Sequence, residues 1–262
     1  MAASAAPTVI VTRPAREAAS WIDGLRAAGI DAVALPLIVI APLVDGAALR
    51  LAWAGLAQQA ALMFVSAAAV DHFFGVGAAL GAAVPAHCRF WATGPGTAAA
   101  LRRNGVPAEA IDVPASSGSR FDSEALWSLV QHQVVPGMRV LIVRGGDAQG
   151  RPSGRDWLAR TLEAAGGRCD SVAAYRRLPP VFDTAQRRLA EEGAAGRALW
   201  LFSSSEAIAN LLGAMPDARW HAARAIATHE RIAEAALHAG FGTVRTCAPL
   251  QDALVASIES LA

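Results

Sequence analysis

The sequence contains no lysine: all 23 of its basic residues are arginine. Arginine is the better partner for carboxylates, because its planar fork donates two parallel hydrogen bonds. The lack of lysine also removes the G-K-[ST] signature of a phosphate-binding loop, although Gly145 to Gly154 (GGDAQGRPSG) is glycine-rich. Charge is sparse and nearly balanced, with 17% charged residues and a net charge of +1, which argues against a general nucleic-acid binder. There are three cysteines, Cys88, Cys169 and Cys247. Their odd number and wide spacing suggest reduced thiols in the cytoplasm and not a disulfide frame. The six histidines are scattered, and none pairs with Cys or an acid at a ligand spacing, so no metal is expected. No G-x-S-x-G elbow and no convincing carboxylate pair occur, so a hydrolase triad is unsupported. Asp23, Glu124 and Glu163 read as solvated helix faces. Tyrosine occurs once, at Tyr175.

The start, MAASAAPTVIVTRP, lacks a basic region followed by a long apolar run, so no signal peptide is expected. Leu51 to Val70 carries no charge and is long enough to span a bilayer. It is broken by Gly55, Gln58 and Gln59 and holds a β-like LMFVS run, so a buried helix followed by a buried strand explains it better. Hydrophobic residues make up 54% of the chain, ample for a packed core.

Short apolar runs alternate with Ala-rich helical stretches that end in glycine, the βαβ pattern of a parallel sheet covered on both faces. Strands are expected over residues 8–12, 31–35, 62–65, 89–92, 110–113, 139–143, 169–174, 198–202, 224–227 and 243–246, enough for two sheets of five. The halves echo each other. VIVTRP (Val9–Pro14) matches VLIVRG (Val140–Gly145), and FVSAAAV (Phe64–Val70) matches FSSSEAI (Phe202–Ile208). Trp91–Gly105 matches Ile226–Gly240, and Asp122–Leu129 matches Leu250–Ser257. The period is domain-sized, which means two lobes and not a solenoid. Two extended, proline-flanked crossings, PLIVIAPL after Leu35 and DSVAAYRRLPP after Cys169, fit a discontinuous layout. One lobe takes 1–36 and 178–262, the other 43–171, with 37–42 and 172–177 as paired linker strands forming a hinge.

In open parallel sheets, ligands bind beyond the carboxyl ends of the strands, where loops enter helix N-termini. Those positions carry Arg13, Ser66, Thr93, Gly94, Thr97, Arg144, Ser203, Ser204, Thr228 and His229. Free N–H groups and the helix dipole favour anions there. The hydroxyls equally suit helix caps, so both readings stand for Ser66, Ser203 and Thr97. Polar turns at equivalent places in both lobes favour a shared cleft. The 145–154 loop reads as mobile, delivering Arg151 or Arg155. Gly94 to Ala99 also fits G-x-G-x-x-A with Asp112 downstream, a rival dinucleotide signal. Pro95 stiffens that turn, and its echo ATHER has no glycine. A two-lobed anion-binding protein without chemistry is the other alternative. A lone tyrosine is ordinarily a core aromatic with a wet hydroxyl.

Taken in order, VTRP at Val11–Pro14, the Ser66 and Ser203-Ser204 turns, GPGTA at Gly94–Ala98, Asp122-Ser123-Glu124, VLIVRG before GRDWL, and YRR at Tyr175–Arg177 resemble uroporphyrinogen-III synthase across nearly the whole chain. The resemblance implies two flavodoxin-like lobes joined by a two-stranded ladder, in a monomeric cytoplasmic lyase without metal or organic cofactor. Such enzymes act on the small molecule hydroxymethylbilane, a linear tetrapyrrole with a carboxylate on every side arm. They expel its hydroxyl as water, invert the last ring and close the macrocycle to uroporphyrinogen III, through an azafulvene cation and a spiro-pyrrolenine. Carried over, Tyr175 assists loss of the hydroxyl as a donor, and the strand-end residues with Arg155 hold carboxylates. No nucleic acid or membrane is implied. The unstable substrate suggests transient contact with the preceding pathway enzyme. Two segments depart from the family pattern: ATHER puts His229 where hydroxyl-bearing turns are usual, and the Arg144–Arg155 loop is long.

Overall fold

The protein is described here by a computed structural model covering residues 7–115 and 123–260. The chain divides into two compact units, Met1–Val39 with Pro179–Ala262, and Ile40–Leu178. Among the described residues there are eleven strands: β1 (Thr8–Val11), β2 (Ala32–Ala34), β3 (Val39–Ala41), β4 (Ala61–Phe64), β5 (Arg89–Ala92), β6 (Ile111–Asp112), β7 (Arg139–Gly146), β8 (Arg168–Leu178), β9 (Ala198–Phe202), β10 (Arg224–Ala227) and β11 (Thr243–Thr246).

The first unit holds a five-stranded sheet in the order β11-β10-β9-β1-β2. Its neighbours are parallel throughout. Renumbered along the chain this is the 2-1-3-4-5 order of flavodoxin-like sheets. The other sheet runs β3-β8-β7-β4-β5-β6, and β4 to β8 pair in parallel. Without β3 it is the same sheet entered at a different strand: β7 stands where β1 does, β4 where β9 does, β5 where β10 does. The internal echoes therefore mark structurally equivalent strands. The expected count of five was short by one, because the Pro-flanked Val39–Ala41 segment joins the sheet beside β8.

Strand composition explains the layering. β4 sends Ala61 and Met63 into one cluster with Trp91, Val140 and Ile142. Leu62 and Phe64 enter another with Phe73, Phe90, Leu141 and Val143. Alternate residues are thus buried on both faces, as a helix-covered parallel sheet requires. In the first unit Val9, Val11, Leu199 and Leu201 pack one face. Trp200 stacks on Phe202 and meets Trp220 and Phe241 edge-on. Each such side chain contributes roughly 1.5–3 kcal/mol on full burial. The Leu51–Val70 stretch resolves into the end of helix Ala47–Ala54, a short turn, β4 and the start of helix Ala67–Leu80. Among the described residues no helix is long and apolar enough to cross a membrane.

β7 outruns the expected 139–143, and β8 runs without a break through the expected strand 169–174 and linker strand 172–177. Their register runs from Arg139↔Arg168 to Arg144↔Ala173, then shifts so that Gly145 faces Tyr175. An extra residue on one strand bends the pair and re-aims the side chains beyond it.

Candidate functional site

In the 2-1-3-4-5 order the ligand crevice opens at the switch point, between the first and third strands. That point lies between β7 and β4 in one unit and between β1 and β9 in the other.

At the β7/β4 switch point the chain places four residues together. Ser66 follows β4 and caps helix Ala67–Leu80, its Oγ accepting the Ala69 N–H at 3.1 Å. Tyr175 on β8 is buried, and its Oη lies 3.2 Å from Ser66 Oγ. Gly145 lies under the ring: a Cβ built there falls 2.8 Å from Cζ and 2.9 Å from Oη of Tyr175. His72, one turn along the helix, has its ring 5.6 Å from the Tyr175 ring. The register shift after Arg144 sets Gly145 opposite Tyr175.

The neighbouring turn opens a second helix. Gly94, extended, precedes helix Pro95–Arg103, with Pro95 at its first position and Thr97 buried. A helix leaves its first N–H groups without internal partners, and they point out of its N-terminus. Thr93 Oγ1 donates to the Val65 carbonyl at 3.2 Å, tying this turn to the one before Ser66. The dinucleotide reading loses its acid: Asp112 is held by Arg89 Nε and Nη2 at 3.0 and 2.7 Å.

The arginines are more occupied than the sequence suggested. Arg144 is buried, with Nη1 on Asp156 at 2.8 Å and Nη2 on the Arg155 carbonyl at 2.9 Å. It fastens the end of the 145–154 segment. Arg155 pairs with Glu124, which is therefore an ion-pair partner and not merely a solvated face. The segment itself is folded, not loose. Asp147 Oδ1 accepts the Gln149 and Arg151 N–H groups, Oδ2 takes Arg151 Nε at 2.8 Å, and Gly146 bridges Pro152. The Arg151 N–H, then its side chain, hold the Asp147 carboxyl below its ordinary pKa. Asp122 lies outside the described residues.

The β1/β9 switch point carries the equivalent polar set. Arg13 follows β1, pairs with Glu17 at 3.1 Å and stacks over Trp21 at 4.3 Å. Burial lowers its pKa, against the opposing pull of Glu17. Ser203 is half-buried after β9, and Ser204 caps helix Ser205–Ala214 through the Glu206 N–H. Thr228 follows β10, its N–H on the Phe202 carbonyl at 3.0 Å. His229 caps helix Glu230–His238: its Nδ1 accepts the Arg231 N–H at 3.1 Å. An imidazole here does what serine does at the other turns, and accepting at Nδ1 leaves the proton on Nε2.

Sequence reasoning missed Gly145 and His72. A glycine one residue past an apolar strand was the available signal for the first; His72 carries none.

A family model described as "Uroporphyrinogen-III synthase HemD" matches residues 19–256. The chain belongs to the uroporphyrinogen-III synthase family. A uroporphyrinogen-III synthase of Chlorobaculum parvum is 27% identical over 188 residues, 69% of this chain and 68% of that one. A mutant uroporphyrinogen III synthase from the extremely thermophilic bacterium Thermus thermophilus matches with a TM-score of 0.61 at 21% identity, over 98% of this chain and 99% of that one. The uroporphyrinogen-III synthetase of Helicobacter pylori matches with a TM-score of 0.60 at 13% identity, over 98% and 100%. At these identities the two structures speak to the fold, which is α/β with two parallel sheets. The family membership makes the chain a cyclising lyase of porphyrin biosynthesis.

Proposed function

We propose that the protein converts hydroxymethylbilane to uroporphyrinogen III, with Tyr175 as the proton donor to the departing hydroxyl. The observation that carries this is the Tyr175 hydroxyl, buried beside Ser66 at the β7/β4 switch point, next to the anion-attracting start of helix Ala67–Leu80. Proton transfer by a positioned side chain contributes about 10²–10⁴-fold. Holding the inverting conformer and excluding water supply the rest.

Substrate carboxylates are received at helix N-termini and their polar caps: Ser66, Gly94 and Thr97 with Thr93 in one unit, Ser203, Ser204, Thr228 and His229 in the other. Arg13 and Arg155 add charge-assisted hydrogen bonds. Arg144 acts one step back, because its Asp156 and Arg155 contacts hold the loop that presents Arg155. Residues 37–42 and 172–177 serve as the connecting strands between 1–36 with 178–262 and 43–171. The enzyme works in the cytoplasm as a monomer, needs no cofactor and takes its unstable substrate in transient contact with the preceding enzyme.

The test is product analysis. Hydroxymethylbilane is supplied, the product is oxidised, and the porphyrin isomers are separated. The type III isomer is expected from the native chain, and the Tyr175→Phe variant should lose about 10²-fold or more in turnover. Type I porphyrin alone from the native chain refutes the proposal.

A further inference from the structure

Ser66 Oγ has one proton to give and two lone pairs. One lone pair is used by the Ala69 N–H, which only donates. That bond fixes the Ser66 rotamer, so its remaining proton and lone pair have few directions open. The next polar atom is Tyr175 Oη at 3.2 Å, where either hydroxyl is able to donate. The chemistry of ionisation decides between them. When Tyr175 gives its proton to the leaving hydroxyl, the C–O bond breaks with its electron pair, water departs, and negative charge stays on Oη. A tyrosinate only accepts hydrogen bonds, so Ser66 must then be the donor. If Ser66 already donates beforehand, no reorganisation is needed at that moment.

We propose that Ser66 is a positioning residue that donates its hydroxyl proton to Tyr175 Oη, turning the Tyr175 proton away from the helix and stabilising the tyrosinate left behind. This rests on the reading of Tyr175 as proton donor. Two further features support it. Gly145 leaves room for the ring to close on Ser66, since any Cβ there would stand under 3.0 Å from Oη. The positive end of helix Ala67–Leu80 lies at the same atom and favours negative charge. The titratable side chain in ring contact is His72, on the same helix, and Arg144 adjoins Gly145 but is committed to Asp156.

Because the chain has one tyrosine, the near-ultraviolet tyrosinate band reports on Tyr175 alone. Titration without substrate is independent of turnover, so it separates this idea from the proposed reaction, which the isomer assay judges. Ser66→Ala and Ser66→Gly should each raise the midpoint by about one unit, tenfold in the ionisation constant. Glycine caps helices nearly as well as serine, so the Gly variant removes the donor with little loss of helix start. Ser66→Thr should keep the native midpoint and rescue turnover, while Ser66→Gly should lower kcat about tenfold. An unchanged midpoint in Ser66→Gly overturns the proposal, even if Ser66→Ala shifts, because a lost cap then explains the shift. A raised midpoint in Ser66→Thr overturns it too.

Discussion

Replacing Gly145 by alanine should disable the site while leaving its chemical groups in place. The added Cβ would sit 2.8 Å from Cζ, 2.9 Å from Cε2 and 2.9 Å from Oη of Tyr175. Comfortable carbon contacts lie at about 3.5–4.0 Å, so the ring must retreat by roughly an ångström. Moving Oη that far from Ser66, now 3.2 Å away, breaks their hydrogen bond. A misplacement of about 1 Å costs on the order of 10²-fold in rate, and overpacking a buried site costs about 1–3 kcal/mol. Thermal unfolding with porphyrin isomer analysis reads both. The control is Gly75→Ala, in the same helix as Ser66 with open space at its Cβ. That change should stabilise by about 0.5–1 kcal/mol and leave turnover alone. A double-mutant cycle sharpens the point. In a Tyr175→Phe background Gly145→Ala should lower turnover far less than in the native chain, because the group it displaces is already gone. Native rate and native type III yield from Gly145→Ala would refute the reasoning.

Other perturbations isolate other parts. Gly193→Ala pushes a Cβ to 2.6 Å from the Trp200 indole and should cost about 1–3 kcal/mol, read by chemical denaturation, without a specific effect on isomer yield. His229→Ala removes a helix cap and should cost about 1 kcal/mol, while His229→Ser should restore it, measured by thermal melts. Asp147 has its folded pKa depressed, first by the Arg151 N–H, so its contribution is present at neutral pH and is lost as pH falls through the folded value. Limited proteolysis between residues 147 and 151 should therefore rise with acid below the ordinary carboxylate range of about 4, and Asp147→Asn should be cut readily at all pH values. Burial pushes the Cys247 thiol up to about 11, and burial followed by Glu163 pushes Cys169 up to about 11, so both should react slowly with thiol reagents at neutral pH.

Much of the fold was legible because parallel strands buried on both faces must be apolar throughout, and VIV, LMF, FWA, VLIV and ALWLF have no other comfortable home. The echoes between halves were legible for the same reason: equivalent strands face equivalent cores. Strand β3 was legible as an extended crossing beside residues 172–177, but its place as a sixth strand of the sheet was not, because three residues between prolines carry too little pattern. The bulge was not, because glycines 145 and 146 look like the start of a loop, and only pairing with β8 keeps them in the sheet. Strand-end hydroxyls announced Ser66 and Ser204, yet the Ser66–Tyr175 bond joins residues 109 apart, and no local spacing encodes it. Arg144 is a different case. An arginine after an apolar strand reads as a ligand contact, and no local pattern encodes its pairing with Asp156, twelve residues on.

The matched sheet orders carry one more consequence. Both switch points supply a helix start capped by serine, Ser66 in one unit and Ser204 in the other, so the proposed anion contacts are duplicated. The strands beside β7 and β1 differ, however. β8 runs eleven residues, past the carboxyl end of the sheet, and delivers Tyr175 over Gly145. β2, in the equivalent place, runs three residues and leads to Leu35 and Pro36, with no ionisable group there. The proposed pairing of duplicated anion contacts with one proton donor, Tyr175, suits a substrate that carries carboxylates on every ring but loses its hydroxyl at one end. It follows that removing Ser204 should weaken binding while sparing the chemical step, whereas removing Ser66 should strike the chemical step. Ser204→Gly should therefore raise KM with kcat nearly native, whereas Ser66→Gly should lower kcat as well. Equal loss of kcat from both would mean that the two units share the chemistry, and the assignment of Tyr175 as sole donor would fall.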